Sequence, residues 1–375
     1  MNCPKCGTEA VAGARFCEID GTLLSNVPFR VAPEDVLAKA NVNDAAHGGS
    51  AGGCRCGAGP DAIDESGFCT ECGVRAHPQP HAEGSGPLDP GLGVSDRAVD
   101  ARDHIEFEPA AEFAGVTDRG VRHSENQDDL ALAVVQTDIA GQAIQKTYVA
   151  VVCDGVSGSE GASGASAAAA ATACATIERV LREQKLGVAL EAVMRSAIVE
   201  ADTAVRGVDY FRGTAKDPPE TTIVAAVVTG NTAVIGWSGD SRAYWITPTQ
   251  ATMITRDHSW VNDVVDNGLM SEADALRSPM AHAIVRCLGG PAPDTISFAD
   301  QTDLASVVRC ILPAGSRLLL CSDGLWNNAQ TVDEIADLVR SAEAETPLET
   351  ARRLVRYAIA CGGKDNITAA ILQAD

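Results

Sequence analysis

From about Glu112 onward, apolar positions fall into two rhythms. Short runs rich in Val, Ile, Ala and Leu predict strands over 131–136, 147–153, 222–229, 233–238, 242–246, 317–321 and 367–373. Longer blocks with a helical period predict helices over 164–184, 187–206, 332–342 and 347–360. Asp333 and Glu334 open the third block with acidic residues, and Gly362-Gly363 closes the fourth. In "VVTGNTAVIGW", Gly-Asn stands between two apolar runs, a hairpin signal. Hairpins with helices grouped between them predict an α+β layered domain, not a strict βαβ alternation.

Before Glu112 the pattern is different. Residues 1–25 and 53–74 are short Cys/Gly-rich segments without periodicity, separated by a polar linker at 26–52. Residues 75–110 are rich in Pro, Gly and Asp and read as a flexible linker, which leaves 111–375 as the folded domain. The first Cys segment carries Cys3-x2-Cys6, then Cys17 and Asp20. The second carries Cys54-x-Cys56, then Cys69-x2-Cys72. A CxxC turn holds two thiolates at tetrahedral spacing, and two such turns close a structural Zn²⁺ site. Segments this small have almost no core, so a metal would supply the folding energy. The other reading is a reduced, unstructured Cys-rich tail. Two departures from a four-cysteine ribbon stand out: Asp20 holds the place of a fourth Cys, and Cys54-x-Cys56 is a tight spacing. Both segments still resemble the zinc ribbons at the ends of many bacterial proteins, which implies binding of a protein partner.

Charge and cysteine usage narrow the classes. The net charge of -22 argues against a nucleic-acid binder and suits hard cations, whose ligands are oxygens. For most of the 51 acidic residues, solubility is explanation enough. "MNCPKCGTEAV" lacks the basic and apolar regions of a secretory signal, and no run is long enough to span a bilayer. A cytoplasmic chain with reduced thiols and no membrane contact is the expectation.

The candidate chemistry lies in repeated carboxylates at strand ends. Asp154-Gly155 follows "VAVVC", Asp323-Gly324 follows "LLLCS", Asp240 lies between two strands, and Asp365 precedes the last one. A further cluster, "ENQDD", ends at Asp128 and Asp129. Singly, each is an ordinary turn residue. Jointly, rigid strand ends that present carboxylates to solvent suit an oxygen cage for divalent cations.

These stretches also carry a resemblance. "GVTDRGVRHSENQDDLAL", "VAVVCDGVSGSEG", "ETTIVAAVV", "VIGWSGDSRAYWI", "TRDHSWV", "LLLCSDGLWN" and "KDNITAAIL" follow the motif order of the metal-dependent protein phosphatases, the protein phosphatase 2C type. The match runs over roughly 112–375. The resemblance implies a four-layer α/β/β/α sandwich: two antiparallel sheets flanked by helices, with metals at one end. It implies a serine/threonine protein phosphatase in which water activated between two Mn²⁺ or Mg²⁺ ions attacks phosphorus. By that resemblance Asp154 bridges the two ions, the Gly155 carbonyl binds the second, and Asp323 and Asp365 complete the first. Asp240, with Asp323, would hold a third and weaker ion, and Asp128 would act through water. Asp154, Asp323 and Asp365 are then the catalytic carboxylates. Phosphorylated proteins, among them targets of bacterial Ser/Thr kinases, are the implied substrates.

The chain also departs from the family. Where a phosphate-binding Arg is expected, five residues before Asp128, stands His123, with Arg122 one place earlier; either His123 or Arg122 takes the role. "DGVSGSEG" puts Ser157 and Ser159 where Gly and His are commoner, and Glu220 replaces a Gly before Thr221-Thr222. His258 in "DHS" has no role that the sequence assigns. The alternative to an active enzyme is a catalytically weak pseudophosphatase, a phosphoprotein-binding regulatory module.

Overall fold

The computed structural model describes residues 103–137, 145–183, 189–211, 217–290, 304–341 and 345–374. The Cys segments, with Cys3, Cys6, Cys17, Asp20, Cys54, Cys56, Cys69 and Cys72, lie outside the described residues.

Thirteen strands and seven helices follow in chain order among the described residues. They are β1 (His104–Ala110), β2 (Phe113–Asp118), β3 (Asp128–Thr137), β4 (Gln145–Asp154), α1 (Ala162–Arg182), α2 (Leu190–Arg206), β5 (Glu220–Thr221), β6 (Ile223–Thr229), β7 (Thr232–Ser238), β8 (Arg242–Ile246) and β9 (Ala251–Met253). Then come α3 (Trp260–Asp266), α4 (Glu272–Leu276), β10 (Leu288–Gly289), β11 (Ser306–Ile311), β12 (Arg317–Cys321), α5 (Asp323–Trp326), α6 (Val332–Arg340), α7 (Pro347–Ala360) and β13 (Ile367–Gln373).

Two antiparallel sheets form. One has the order β1-β2-β13-β12-β8-β9 and the other β11-β7-β6-β4-β3; β10 and β5 make a separate two-stranded ribbon. Side-chain alternation decides the layering. In β4, Val149, Val151 and Cys153 face α1 and α2, whereas Ala150 and Val152 face the other sheet. In β12, Leu319 and Cys321 face α6 and α7, whereas Leu318 and Leu320 meet the five-stranded sheet. Both sheets are thus covered twice, which explains their near-continuous apolar runs. The layers are α1/α2, five strands, six strands and α6/α7, the four-layer sandwich expected from the sequence.

Local signals account for several boundaries. Thr331 and Glu334 form a reciprocal capping box at the start of α6, and Thr346 and Glu349 do the same for α7, where Pro347 takes the first turn. Gly230-Asn231 closes the β6–β7 hairpin with Gly230 at φ 56°.

One boundary is corrected. Residues 104–110, which composition places in the 75–110 linker, form β1, paired with β2 from His104↔Asp118 onward. The edge position explains the disguise: β1 alternates half-buried and exposed residues, so charge and Pro109 are tolerated.

Candidate metal and phosphate site

Asp128 and Asp154 end adjacent strands and face each other across the β3–β4 ladder. Hydrogen bonding fixes the Asp154 backbone on both sides. Its carbonyl accepts from Thr222 N at 2.8 Å and Thr221 Oγ1 at 2.9 Å, and its N–H donates to Thr222 Oγ1 at 3.2 Å. Gly155 N–H donates to the Gln127 carbonyl at 3.0 Å. A Cβ on Gly155 would stand 2.6 Å from the carbonyl oxygens of both Gln127 and Ala162, so close backbone approach demands the glycine.

Asp128 is buried. Its Oδ2 accepts from Ser322 Oγ and Thr368 Oγ1, each at 2.7 Å, and its Oδ1 has no hydrogen-bond partner. Asp323 opens α5 and accepts from Asn327 Nδ2 at 3.1 Å. Gly324 lets that turn press against β13, since a Cβ there would lie 1.9 Å from the Asn366 carbonyl. Asp365 accepts from the N–H of Asn366 at 2.8 Å. Asp240 sits in the β7–β8 turn, its carbonyl bonded to the Trp326 indole N–H at 3.0 Å.

The five carboxylates share one field. Burial pushes Asp154 and Asp323 well above the ordinary carboxylate range, and repulsion from their acidic neighbours adds to it. Asp128, Asp323, Asp365 and Asp240 all act on Asp154; Asp365, Asp240 and Asp128 act on Asp323. Burial likewise pushes Asp128 and Asp240 up to about 7. Among the described residues no three such side chains form a ready-made ligand cluster. Even so, an all-oxygen donor set, an orphaned buried Asp128 oxygen and mutual repulsion fit a hard divalent cation.

The loop from Arg119 to Gln127 is pinned by Asn366, whose Nδ2 donates to the Arg119 and Glu125 carbonyls and whose Oδ1 accepts from Gln127 N. This loop brings His123 Nε2 within 3.2 Å of Asp365 Oδ1 and leaves Arg122 exposed. Ser159 turns inward: its Oγ donates to the Val156 carbonyl and accepts from Glu220 N. The seryl group therefore shapes the turn. Burial pushes the Cys153 and Cys321 thiols far up, which leaves them poor nucleophiles.

Sequence reasoning missed Thr221, Thr222, Ser322, Asn366 and Thr368, which hold the carboxylates and the 119–127 loop without being charged. Ser322 directly before Asp323 and Asn366 directly after Asp365 were the available signal.

Fold and site together define a layered α+β protein with mutually repelling carboxylates at its strand ends that suit cations. The chain belongs to the protein phosphatase 2C family, whose model it matches over residues 119–356. The serine/threonine phosphatase stp of Listeria welshimeri is 32% identical over 156 residues, covering 41% of this chain and 56% of that protein. The chain thus spans about half the length of such curated relatives. The crystal structure of the Mycobacterium tuberculosis serine/threonine phosphatase PstP is similar with a TM-score of 0.53 at 25% identity, covering 70% of this chain and 98% of that one. The PstP catalytic domain in complex with two manganese ions is similar in fold, at 24% identity and a TM-score of 0.51 over 72% of this chain and 98% of that one.

Proposed function

We propose that the chain is a metal-dependent serine/threonine protein phosphatase that hydrolyses phosphoserine and phosphothreonine in proteins. The observation that carries this reading is the set of five mutually repelling carboxylates gathered from both sheets. Asp154, Asp323 and Asp365, with the Gly155 carbonyl, would hold two Mn²⁺ or Mg²⁺ ions, and Asp240 with Asp323 a weaker third; Asp128 would act through water. Such ions, when bound, lower the pKa of water and screen phosphate charge. The chain's own residues do the rest. Thr221 and Thr222 fix Asp154, Ser322 and Thr368 orient Asp128, and Asn366 places His123 where its imidazole can donate to a phosphate oxygen. Buried, weakly acidic thiols argue against a cysteine nucleophile.

A weak, phosphoprotein-binding module is the second reading. It rests on His123 at the Arg position and on Ser159, which offers no imidazole for the leaving group. Mn²⁺-dependent hydrolysis of p-nitrophenyl phosphate and a phosphothreonine peptide separates the two. Turnover abolished in Asp154→Asn supports the enzyme; a wild-type chain that binds the peptide without turnover establishes the module.

The remaining proposals concern context. No described helix is long and apolar enough to cross a membrane. A cytoplasmic site of action, substrates phosphorylated by bacterial Ser/Thr kinases, and Zn²⁺ in the Cys segments as a protein-docking element complete the proposal. Metal analysis of the reduced full chain showing no zinc would refute the last.

A further inference from the structure

The turn that carries Asp240 is gripped from behind by a residue with no part in the chemistry above. Asp257 and His258 follow β9 and engage the two neighbours of the Asp240-Ser241 step. Asp257 takes the Arg242 guanidinium, with Oδ2 2.6 Å from Nη2 and Oδ1 2.9 Å from Nε. His258 takes Gly239: its N–H donates to the Gly239 carbonyl at 2.8 Å, and Gly239 N–H donates to His258 Nδ1 at 3.2 Å.

The second bond assigns the role of Nδ1. It offers its lone pair to the Gly239 N–H, while Nε2 lies 2.9 Å from Ser306 Oγ. Arg286 Nη1 stands 3.1 Å from that nitrogen. Burial, with this guanidinium, holds the imidazole pKa well below its usual value, so the ring is neutral. It also stacks on Trp237, centroids 5.9 Å apart at 11°. Orientation and charge are therefore both fixed.

The turn needs holding. Gly239 has φ 108°, a region open to glycine alone among ordinary residues, and a Cβ there would lie 2.6 Å from Thr222 Cβ. On its far side the Asp240 carbonyl meets the Trp326 indole, over which Arg242 stacks at 3.5 Å.

We propose that His258 is a positioning residue for Asp240: through its Nδ1 lone pair it fixes the Gly239 peptide and so aims the Asp240 carboxylate at Asp323. The inference rests on the reading of Asp240 as ligand to the weaker ion. It gives His258 an effect confined to that ion.

The test measures Mn²⁺ binding to the full chain directly, from the electron paramagnetic resonance signal of free Mn²⁺, beside thermal melts without metal. Three variants serve: His258→Ala, His258→Asn, whose amide oxygen reaches the place of Nδ1, and His258→Gln, whose amide reaches the place of Nε2. The expected result is a weak class of sites loosened about 10-fold in Ala and Gln, restored to within about 3-fold in Asn, with the tight class unmoved. Should Ala fail to fold, the Asn–Gln contrast decides. A weak class unchanged in all three, equal behaviour of Asn and Gln, or parallel loosening of both classes overturns the proposal. A wild-type chain that binds no Mn²⁺ at all overturns the metal reading itself, a different result from normal wild-type binding with indifferent variants.

Discussion

Asp128 and Asp154 end two strands paired over ten successive residues, whereas Asp240 and Asp365 stand in turns that no ladder continues through. The first pair is placed by regular backbone hydrogen bonding. The second pair is placed by contacts distant in sequence: His258 and Trp326 at the Asp240 turn, and, around Asp365, His123 and the bonds from adjacent Asn366 to the 119–127 loop. Ladder positions have little freedom, so the mutual repulsion of their carboxylates is built in at folding. Turn positions can be tuned by changing one supporting residue. On the proposed reading, the bridging carboxylate sits on the rigid pair, and the adjustable functions, the weaker ion and the phosphate contact, sit on the turns.

The sharpest break of this contrast is Asp154→Asn. Hydrolysis of p-nitrophenyl phosphate should fall about 1,000-fold or more, roughly 4 kcal/mol of barrier. The metal-free protein should melt higher, because one buried and repelled charge has gone. A lower melting temperature would show that Asp154 is a structural residue.

Gly155→Ala tests the rigid pair through its backbone. The methyl must displace the Gln127 or Ala162 carbonyl, and therefore either the approach to Asp128 or the first turn of α1. A loss of activity of about 100-fold is expected, with about 1–3 kcal/mol of stability. Near-normal kinetics would mean that the turn has slack and that the glycine is there for another reason.

The strand ends were legible in the sequence because a continuous apolar run breaks off there: in β4 and β12 it stops at Cys153-Asp154 and Cys321-Ser322-Asp323. The two-layer burial of each sheet, seen in Val149/Val151 against Ala150/Val152, made those runs continuous and easy to find. β1 and β11 were missed because edge strands bury only part of each face, so their composition resembles a loop. The supporting shell was illegible for another reason. Thr222, Asn366 and His258 act through hydrogen bonds that span tens to hundreds of residues, and no local pattern encodes such a partner.

Stability against pH probes the shared field without mutation. Burial raises the folded-state pKa of Asp128 and Asp240 to about 7, above the unfolded value near 4. The folded state then holds more protons than the unfolded one between those limits, so stability is fullest below about pH 4 and falls as pH rises through 7. In EDTA, a loss on the order of 5 kcal/mol for the two groups together is expected between pH 5 and 8, with Mn²⁺ reversing it. Denaturant melts that are flat with pH, or indifferent to Mn²⁺, would contradict a buried carboxylate cluster.

The smallest effects belong to the loop of Arg122 and His123, proposed to meet phosphate, where the turn-held side of the contrast is most adjustable. His123 reaches Asp365 and is half-buried, while Arg122 points to solvent from the same loop. His123→Ala should therefore raise KM for a phosphothreonine peptide about 10-fold with kcat within about 3-fold, the signature of a lost binding contact. Arg122→Ala should change either constant by less than about 2-fold. His123→Arg, which supplies a permanent charge and a forked donor, should lower KM below that of the natural chain. If Arg122→Ala proves the more damaging change, the loop swings on binding substrate and the exposed guanidinium, not the imidazole, is what meets the phosphate.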